Sequence, residues 1–104
     1  MSTIVISRHA GLLRWLNEKG IEFDHHWTHL DDCRQLCPGD QVIGNLPIHL
    51  AAKVCKMGGS YIHVCLNVPE NLRGHELTAE QVLALNPELR VYDIQEINHS
   101  YFKS

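Results

Sequence analysis

The sequence lacks the short motifs that would assign it to the common nucleotide-binding and hydrolytic folds. It contains no glycine-rich dinucleotide fingerprint, no Gly-Lys-Ser/Thr phosphate loop and no nucleophile elbow. It also lacks the run of ~20 apolar residues that a membrane span requires, and its N-terminus does not have the pattern of a signal peptide. We therefore expect a cytoplasmic protein without a membrane partner.

Cysteine and basic residues are both scarce. The four cysteines are too sparse for a disulfide scaffold, so we expect free thiols, with Cys55 and Cys65 in the core. Nine basic against twelve acidic residues give a net charge of −3, which argues against a protein that coats long DNA or RNA. A small phosphate ligand in a local basic pocket remains compatible with this charge.

Short apolar strands alternate with helical patterns along the chain. The predicted order is strand, helix, strand, strand, helix, strand, helix, strand, at 4–6, 10–19, 22–30, 41–44, 47 to the glycines at 58 and 59, 61–66, 78–85 and 90–97. The second strand has mixed polarity, which is typical of a sheet edge. The alternation predicts a single Rossmann-like, doubly wound α/β domain over residues 1–104, with a mostly parallel five-stranded sheet.

Two helices carry recognisable start signals. Pro47 suits a first helical position, and the residues that follow, from Ile48 to Cys55, make this helix apolar on most sides. We expect it to pack closely on the sheet and to present its N-terminus to an anion. Thr78 and Gln81 form the pattern of a capping box at the start of the last helix.

Three loops are expected to meet at the carboxyl edge of the sheet, where open α/β sheets bind their ligands. Together they bring two arginines, two histidines, a hydroxyl and two amides, together with two helix N-termini, and this combination favours a negatively charged ligand. The candidate residues of the three loops are Ser7, Arg8 and His9; Asn45, Leu46, Pro47 and His49; and Asn67, Arg73 and Glu76.

Two other uses of the histidines are open. A metal-binding cluster is one interpretation of His25, His26, His29, Cys33 and Cys37. Polar side chains on an exposed strand face are the interpretation we favour, because His26 points away from the other two histidines of a strand.

A third use concerns the first loop, Ser7 to His9. Arg8 and His9 after the first strand resemble the opening of the histidine phosphatases, in which the histidine is the nucleophile. In this chain, however, Ala10 separates His9 from the glycine, and the chain is about half the usual length of that fold.

Four segments, taken in order, resemble a known family. They are ISRHAGLLRWLNEKGIEFD, HLDD, PGDQVIGNLPIHLAAKVCKMGGSYIHVCLN and VPENLRGHELTAEQV. The likeness extends from Ile4 to about Tyr92 and is to a small family of CRISPR-associated accessory proteins encoded beside type III interference loci. The chain differs from the family pattern at Asn45, where threonine is expected, and at Lys53, where an acid is expected.

The resemblance implies a homodimeric ring nuclease that binds and cleaves a cyclic oligoadenylate messenger, of which cyclic tetra-adenylate is the expected form, and so switches off type III CRISPR signalling. A sponge or sensor that binds the same ligand without cleaving it is the alternative. Doubling a site by two-fold symmetry matches a symmetric ring, since an isologous interface presents the same patch twice.

For cleavage we expect a ribose 2′-hydroxyl to attack the neighbouring phosphate, without a metal or other cofactor. Arg8 and Arg73 would stabilise the charge on the phosphoryl oxygens, and His9 or His49 would transfer the proton. The products would be linear oligoadenylates with a 2′,3′-cyclic phosphate. Adenine recognition would fall to Tyr61, Asn67 or backbone groups.

The candidate site residues divide into two groups by role. Those assigned to catalysis are Arg8, His9 and Arg73. Those assigned to substrate binding are Ser7, Asn45, Leu46, Pro47, His49, Asn67 and Glu76.

Overall fold

A computed structural model describes residues 1–7, 10–28, 36–74 and 78–97. These residues form five strands and three helices, and a short 3-10 turn at Glu70–Leu72 precedes the last helix. In chain order the elements are β1 Thr3–Ile6, α1 Ala10–Glu18, β2 His25–Trp27, β3 Gln41–Gly44, α2 Ile48–Lys56, β4 Ser60–Cys65, α3 Ala79–Ala84 and β5 Glu88–Tyr92.

The strands form one sheet in the order β2-β1-β3-β4-β5. The pairs β1–β2, β1–β3 and β3–β4 are parallel, and β5 runs antiparallel to β4. The predicted mostly parallel α/β sheet is therefore confirmed, as is the position of β2 at an edge. Strand order reverses between β1 and β3, and in doubly wound sheets a ligand crevice opens at the carboxyl ends of the strands near such a switch point.

Two apolar clusters cover the two faces of the sheet. On one face, Ala51 and Val54 of α2 pack against β1, β3 and β4. On the other, Trp15 and Leu16 of α1 and Val82 of α3 pack together on the sheet. The i, i+3, i+4 spacing of the apolar residues in α1 places them on one face of that helix, which accounts for this packing.

Several predicted boundaries and burials are wrong, and each has a physical reason. β5 was expected over 90–97, but it ends at Tyr92, because Tyr92 pairs with Tyr61, which lies one residue from the start of β4. Ile48 at the start of α2 is 74 % exposed, so this helix is less enclosed than expected. Cys55 and Cys65 are half-buried and do not lie in the fully buried core.

The predicted start of α3 is confirmed, and that of α2 is wrong by one residue. Pro47 was expected at the first helical position, but it is the N-cap of α2, which begins at Ile48. At α3 the Gln81 N–H donates to the Thr78 hydroxyl over 3.2 Å, and the Thr78 N–H donates to the Gln81 side chain over 2.9 Å, which completes the capping box. Within the described residues, no helix has the length and apolar character to cross a membrane.

A buried carboxylate ties the N-terminus to the turn before β3. The two carboxylate oxygens of Asp40, which is 5 % exposed, accept hydrogen bonds from the N–H groups of Cys37 and Ser2, each over 2.9 Å. These two bonds, the one from Cys37 first, lower the pKa of Asp40 below its ordinary value of 3.8. The ionised carboxylate therefore stabilises the fold above that value, and this stabilisation is lost as the pH falls through the lowered pKa.

We expect Asp40→Asn to lower the thermal unfolding midpoint at neutral pH, because one of the two N–H groups then faces an amide NH₂ group. The difference between wild type and variant should shrink as the pH falls below 3.8 and through the lowered pKa of Asp40. Thermal unfolding of both proteins at several pH values measures this difference in midpoint. A difference that stays constant from neutral to acid pH would contradict the assigned role of Asp40.

Candidate functional site

A cleft of about 440 Å³ lies at the carboxyl ends of β3 and β4. Asn45 directly follows β3 and Asn67 follows β4, so the parallel direction of these strands brings both amides to the same edge. The turn between α3 and β5 supplies the opposite wall. The lining residues are Asn45, His63, Cys65, Leu66, Asn67, Leu85, Asn86 and Glu88.

Asn45 is held in place by the neighbouring strand. Its Nδ2 donates to the carbonyl of Val64 over 2.6 Å, which ties the loop after β3 to β4. The amide oxygen of Asn45 has no hydrogen-bond partner within the described part of the chain. It is therefore available to accept a hydrogen bond from a hydroxyl or an exocyclic amine of a ligand.

Asn86 holds an unusual backbone conformation at the wall of the cleft. Its φ is 52°, in the left-handed region that asparagine tolerates better than most residues. This turn reverses the chain between α3 and β5, and the register of the sheet then sets Glu88 beside Cys65. The left-handed turn at Asn86 and the antiparallel pairing of β4 with β5 together form this wall of the cleft.

The Tyr61 hydroxyl connects the core to the cleft. The side chain is 1 % exposed, and its oxygen lies 2.9 Å from the N atom of Leu46, 3.0 Å from the Gly44 carbonyl and 2.7 Å from Nδ1 of His63. Burial raises the pKa of Tyr61, while the hydrogen bond from Leu46 opposes that shift. The hydroxyl is therefore neutral at physiological pH and fixes both the loop after β3 and the His63 ring.

Tyr61 cannot act as the adenine-binding side chain considered from the sequence, because its ring is enclosed by the core. Its hydroxyl instead contacts Leu46 in the loop after β3 and the His63 ring. The His63 ring also meets the ring of Tyr92 edge-on, with centroids 6.1 Å apart. Contacts on two sides thus hold an imidazole that is half-buried and lines the cleft.

The charged groups near the cleft are paired. Glu88, an acid of the lining, accepts hydrogen bonds from Arg90 Nη2 over 2.8 Å and from Nε over 3.2 Å. Both side chains are mostly exposed, so the pair adds little to stability. It does offset the carboxylate charge at one wall of the cleft. The described lining contains neither lysine nor arginine, and its other polar groups are amides, an imidazole and a thiol.

Ser7 is buried directly after β1 and is hydrogen-bonded to β2. Its N–H donates to the carbonyl of Trp27 over 3.0 Å, and its own carbonyl lies 2.9 Å from Nε2 of His26. Since a carbonyl can only accept, Nε2 of His26 carries a proton. His26 thus has a structural contact, and no group of three potential metal ligands occurs among the residues that the structure describes.

The structure brings some predicted site residues together and leaves others apart. Asn45 and Asn67 share the cleft, and Leu46 adjoins it through the Tyr61 hydroxyl. Pro47 and His49 are exposed at the start of α2.

Other predicted site residues lie away from the described lining or cannot be placed. Arg73 is also exposed and donates from Nε to the Val68 carbonyl over 3.3 Å, and it is not among the described lining residues. Arg8, His9 and Glu76 fall outside the described residues, as do His29 and Cys33.

A larger cleft, of about 630 Å³, opens at the opposite edge of the sheet. It is lined by the start of β1, the residues after α1 and the approach to β2, including Glu22 and Asp24. The Asp24 carboxylate accepts from the Thr3 N–H over 2.8 Å. Its lining has two acids, whereas the one acid of the described lining at the carboxyl ends of β3 and β4 is paired with Arg90, so this cleft is the less suited of the two to a polyanion.

His63, Cys65, Asn86 and Glu88 were not identified as site residues from the sequence. In β4 the alternation of Ile62, Val64 and Leu66 with Tyr61, His63 and Cys65 predicted a strand and assigned no functional role to either face. The signal that would have found His63 is its place in the carboxyl half of a central strand, directly before the Asn67 loop. Polar side chains at that end of a parallel strand face the ligand crevice.

The model of one protein family matches residues 4–95, and its description is "Putative CRISPR-associated protein (Cas_VVA1548)". The matched span includes every lining residue of the cleft between β3 and β4. Searches of curated proteins and of solved structures give no match.

Proposed function

The chain belongs to this CRISPR-associated family, and from that premise we propose that it binds and cleaves a cyclic oligoadenylate messenger in the cleft at the carboxyl ends of β3 and β4. The observation that carries the proposal is the lining of that cleft, where three asparagines and a histidine stand at the edge at which α/β sheets bind ligands. The acidic lining of the larger cleft disfavours the same ligand there.

The chemistry of the lining suits an adenine nucleotide. Asparagine amides pair with the edge of adenine through one donor and one acceptor, and they also bind ribose hydroxyls. Leu66 and Leu85 add apolar surface on which a base can lie. A ring of repeated adenylates would present the same groups to two copies of the cleft, which is the reason for proposing a homodimer.

For catalysis we propose attack of a ribose 2′-hydroxyl on its 3′-phosphate. The protein would hold the 2′-oxygen in line with the leaving 5′-oxygen, and such positioning is a large part of the rate enhancement in reactions of this type. Arg8 and Arg73 are proposed to stabilise the phosphoryl oxygens, and His9 or His49 to transfer protons. No metal or other cofactor enters this mechanism.

Incubation of the purified protein with cyclic tetra-adenylate in excess EDTA tests the proposal. We expect linear products with a 2′,3′-cyclic phosphate, which chromatography and mass spectrometry identify. Ligand that stays intact but protein-bound would support the alternative, a sponge that sequesters the messenger. Ligand that is neither bound nor cleaved would contradict both functions.

A further inference from the structure

Three groups lie within hydrogen-bond distance of the Tyr61 hydroxyl, and only one arrangement of protons makes all three contacts hydrogen bonds at once. The N–H of Leu46 can only donate and the carbonyl of Gly44 can only accept, and they lie 2.9 and 3.0 Å from the oxygen. A phenolic hydroxyl has one proton to donate and can accept at two lone pairs. In that arrangement its proton is directed to Gly44, and one lone pair accepts from Leu46.

The same arrangement of protons assigns a tautomer to His63. Nδ1 of His63 lies 2.7 Å from the same hydroxyl, whose proton is already used. The contact is a hydrogen bond only if Nδ1 carries the proton and donates to the remaining lone pair. In the neutral ring Nε2 is then unprotonated, and it has no hydrogen-bond partner among the described residues.

We propose that His63 is the proton acceptor of ring cleavage, with its free Nε2 directed at the ribose 2′-hydroxyl in the cleft. This inference rests on the proposed function and gives the role of proton acceptor to His63 in place of His9 or His49. As the 2′-oxygen forms its bond to phosphorus, its proton passes to Nε2. The bond from phosphorus to the 5′-oxygen breaks, and the 5′-oxygen takes a proton from solvent. The imidazolium afterwards returns its proton to solvent.

The surroundings of His63 suit this role. The imidazolium formed in the reaction keeps its Nδ1–H and therefore keeps its hydrogen bond to Tyr61, so the ring need not move during proton transfer. On β4 its titratable neighbours are Tyr61 and Cys65. On β5 they are the Glu88–Arg90 pair and Tyr92.

Comparison of His63→Gln with His25→Gln tests the catalytic role. His25 is an exposed histidine on β2, at the far edge of the sheet, and serves as the matched control. We expect His63→Gln to slow single-turnover cleavage of cyclic tetra-adenylate by about 10²–10⁴-fold and to leave its Kd within about threefold of wild type. His25→Gln should cleave at the wild-type rate. Thermal unfolding of both variants reports whether they fold.

The possible outcomes separate this inference from the proposed function. Cleavage by folded His63→Gln at close to the wild-type rate would overturn the role of His63 and leave the proposed function standing. A wild-type protein that does not cleave the ligand would overturn the cleavage reaction itself.

The tautomer can be measured on the wild-type protein without any variant. Nitrogen-15 NMR of the imidazole should show a protonated Nδ1 and an unprotonated Nε2 in the neutral ring of His63. The opposite tautomer would overturn the inference, whatever the result of the cleavage assay.

Discussion

Replacing Trp15 with alanine is expected to lower the free energy of unfolding by about 3–5 kcal/mol. Trp15 is 4 % exposed and lies in the cluster that joins α1 and α3 to the sheet. Truncation removes a large buried ring and leaves a cavity that the rigid sheet cannot fill. Because a domain of this size is stable by roughly 5–15 kcal/mol, the loss is a large part of the total.

Urea unfolding of Trp15→Ala measures this effect as a lower midpoint with an unchanged slope. Arg14→Ala is the matched control in the same helix. Arg14 is exposed, and its Nε lies 3.3 Å from Glu18, an ion pair whose removal should cost less than about 1 kcal/mol. Equal losses of unfolding free energy in the two variants would contradict the assignment of Trp15 to the buried face of α1 and of Arg14 to the exposed face.

Gly44→Ala is the second substitution with a large expected effect, a loss of about 3 kcal/mol or slightly more. A Cβ atom at this position would lie 2.6 Å from the backbone carbonyl oxygen of Ile6. A backbone atom cannot rotate away, so β1 and β3 would have to separate at the residues where they pair. Since Asn45 follows directly, we also expect weaker binding of cyclic oligoadenylate.

Gly20→Ala separates the steric effect at Gly44 from the general cost of replacing a glycine. Gly20 has a φ of 73° after α1, and a Cβ there would meet nothing within 4 Å. Its replacement should cost about 1–2 kcal/mol from the left-handed backbone alone. Urea unfolding compares the two variants. A loss at Gly44 no greater than that at Gly20 would contradict the close approach of β1 and β3.

The parts of the fold that depend on local chemistry could be predicted from the sequence. Pro47 and the Thr78–Gln81 pair mark helix starts because capping involves residues within a few positions of each other. The apolar strand 4–6 and the alternation in 61–66 likewise gave β1 and β4 nearly in full. These features depend only on residues that are close to one another in the sequence.

The direction of β5 and the details of the site could not be predicted in this way. Alternating apolar residues look the same in a parallel and an antiparallel strand, so the pattern left the direction of β5 open. The Tyr61 hydroxyl meets Gly44 and Leu46, which are 17 and 15 residues away in sequence. Contacts at such separations depend on strand order and register, which no local pattern encodes.

The sequence predicted a basic site, but the described lining of the cleft at the carboxyl ends of β3 and β4 contains neither lysine nor arginine. Arg73 was predicted at the rim of the crevice, and the structure shows it exposed with its Nε engaged by the Val68 carbonyl. Its proposed role in catalysis stays a prediction, as does that of Arg8. The described cleft instead offers hydrogen-bonding amides and His63, groups that recognise a base or a ribose as readily as a phosphate.

The central claim is that the ligand binds at the carboxyl ends of β3 and β4. An NMR titration of the nitrogen-15-labelled protein with cyclic tetra-adenylate tests it most directly, if the 2′-hydroxyls are replaced by hydrogen so that the ring cannot be cleaved. We predict that the backbone amides of Asn45, His63, Asn67 and Asn86 show the largest changes in chemical shift. Largest shifts at Glu22 and Asp24 in the opposite cleft, or no shifts at all, would contradict it.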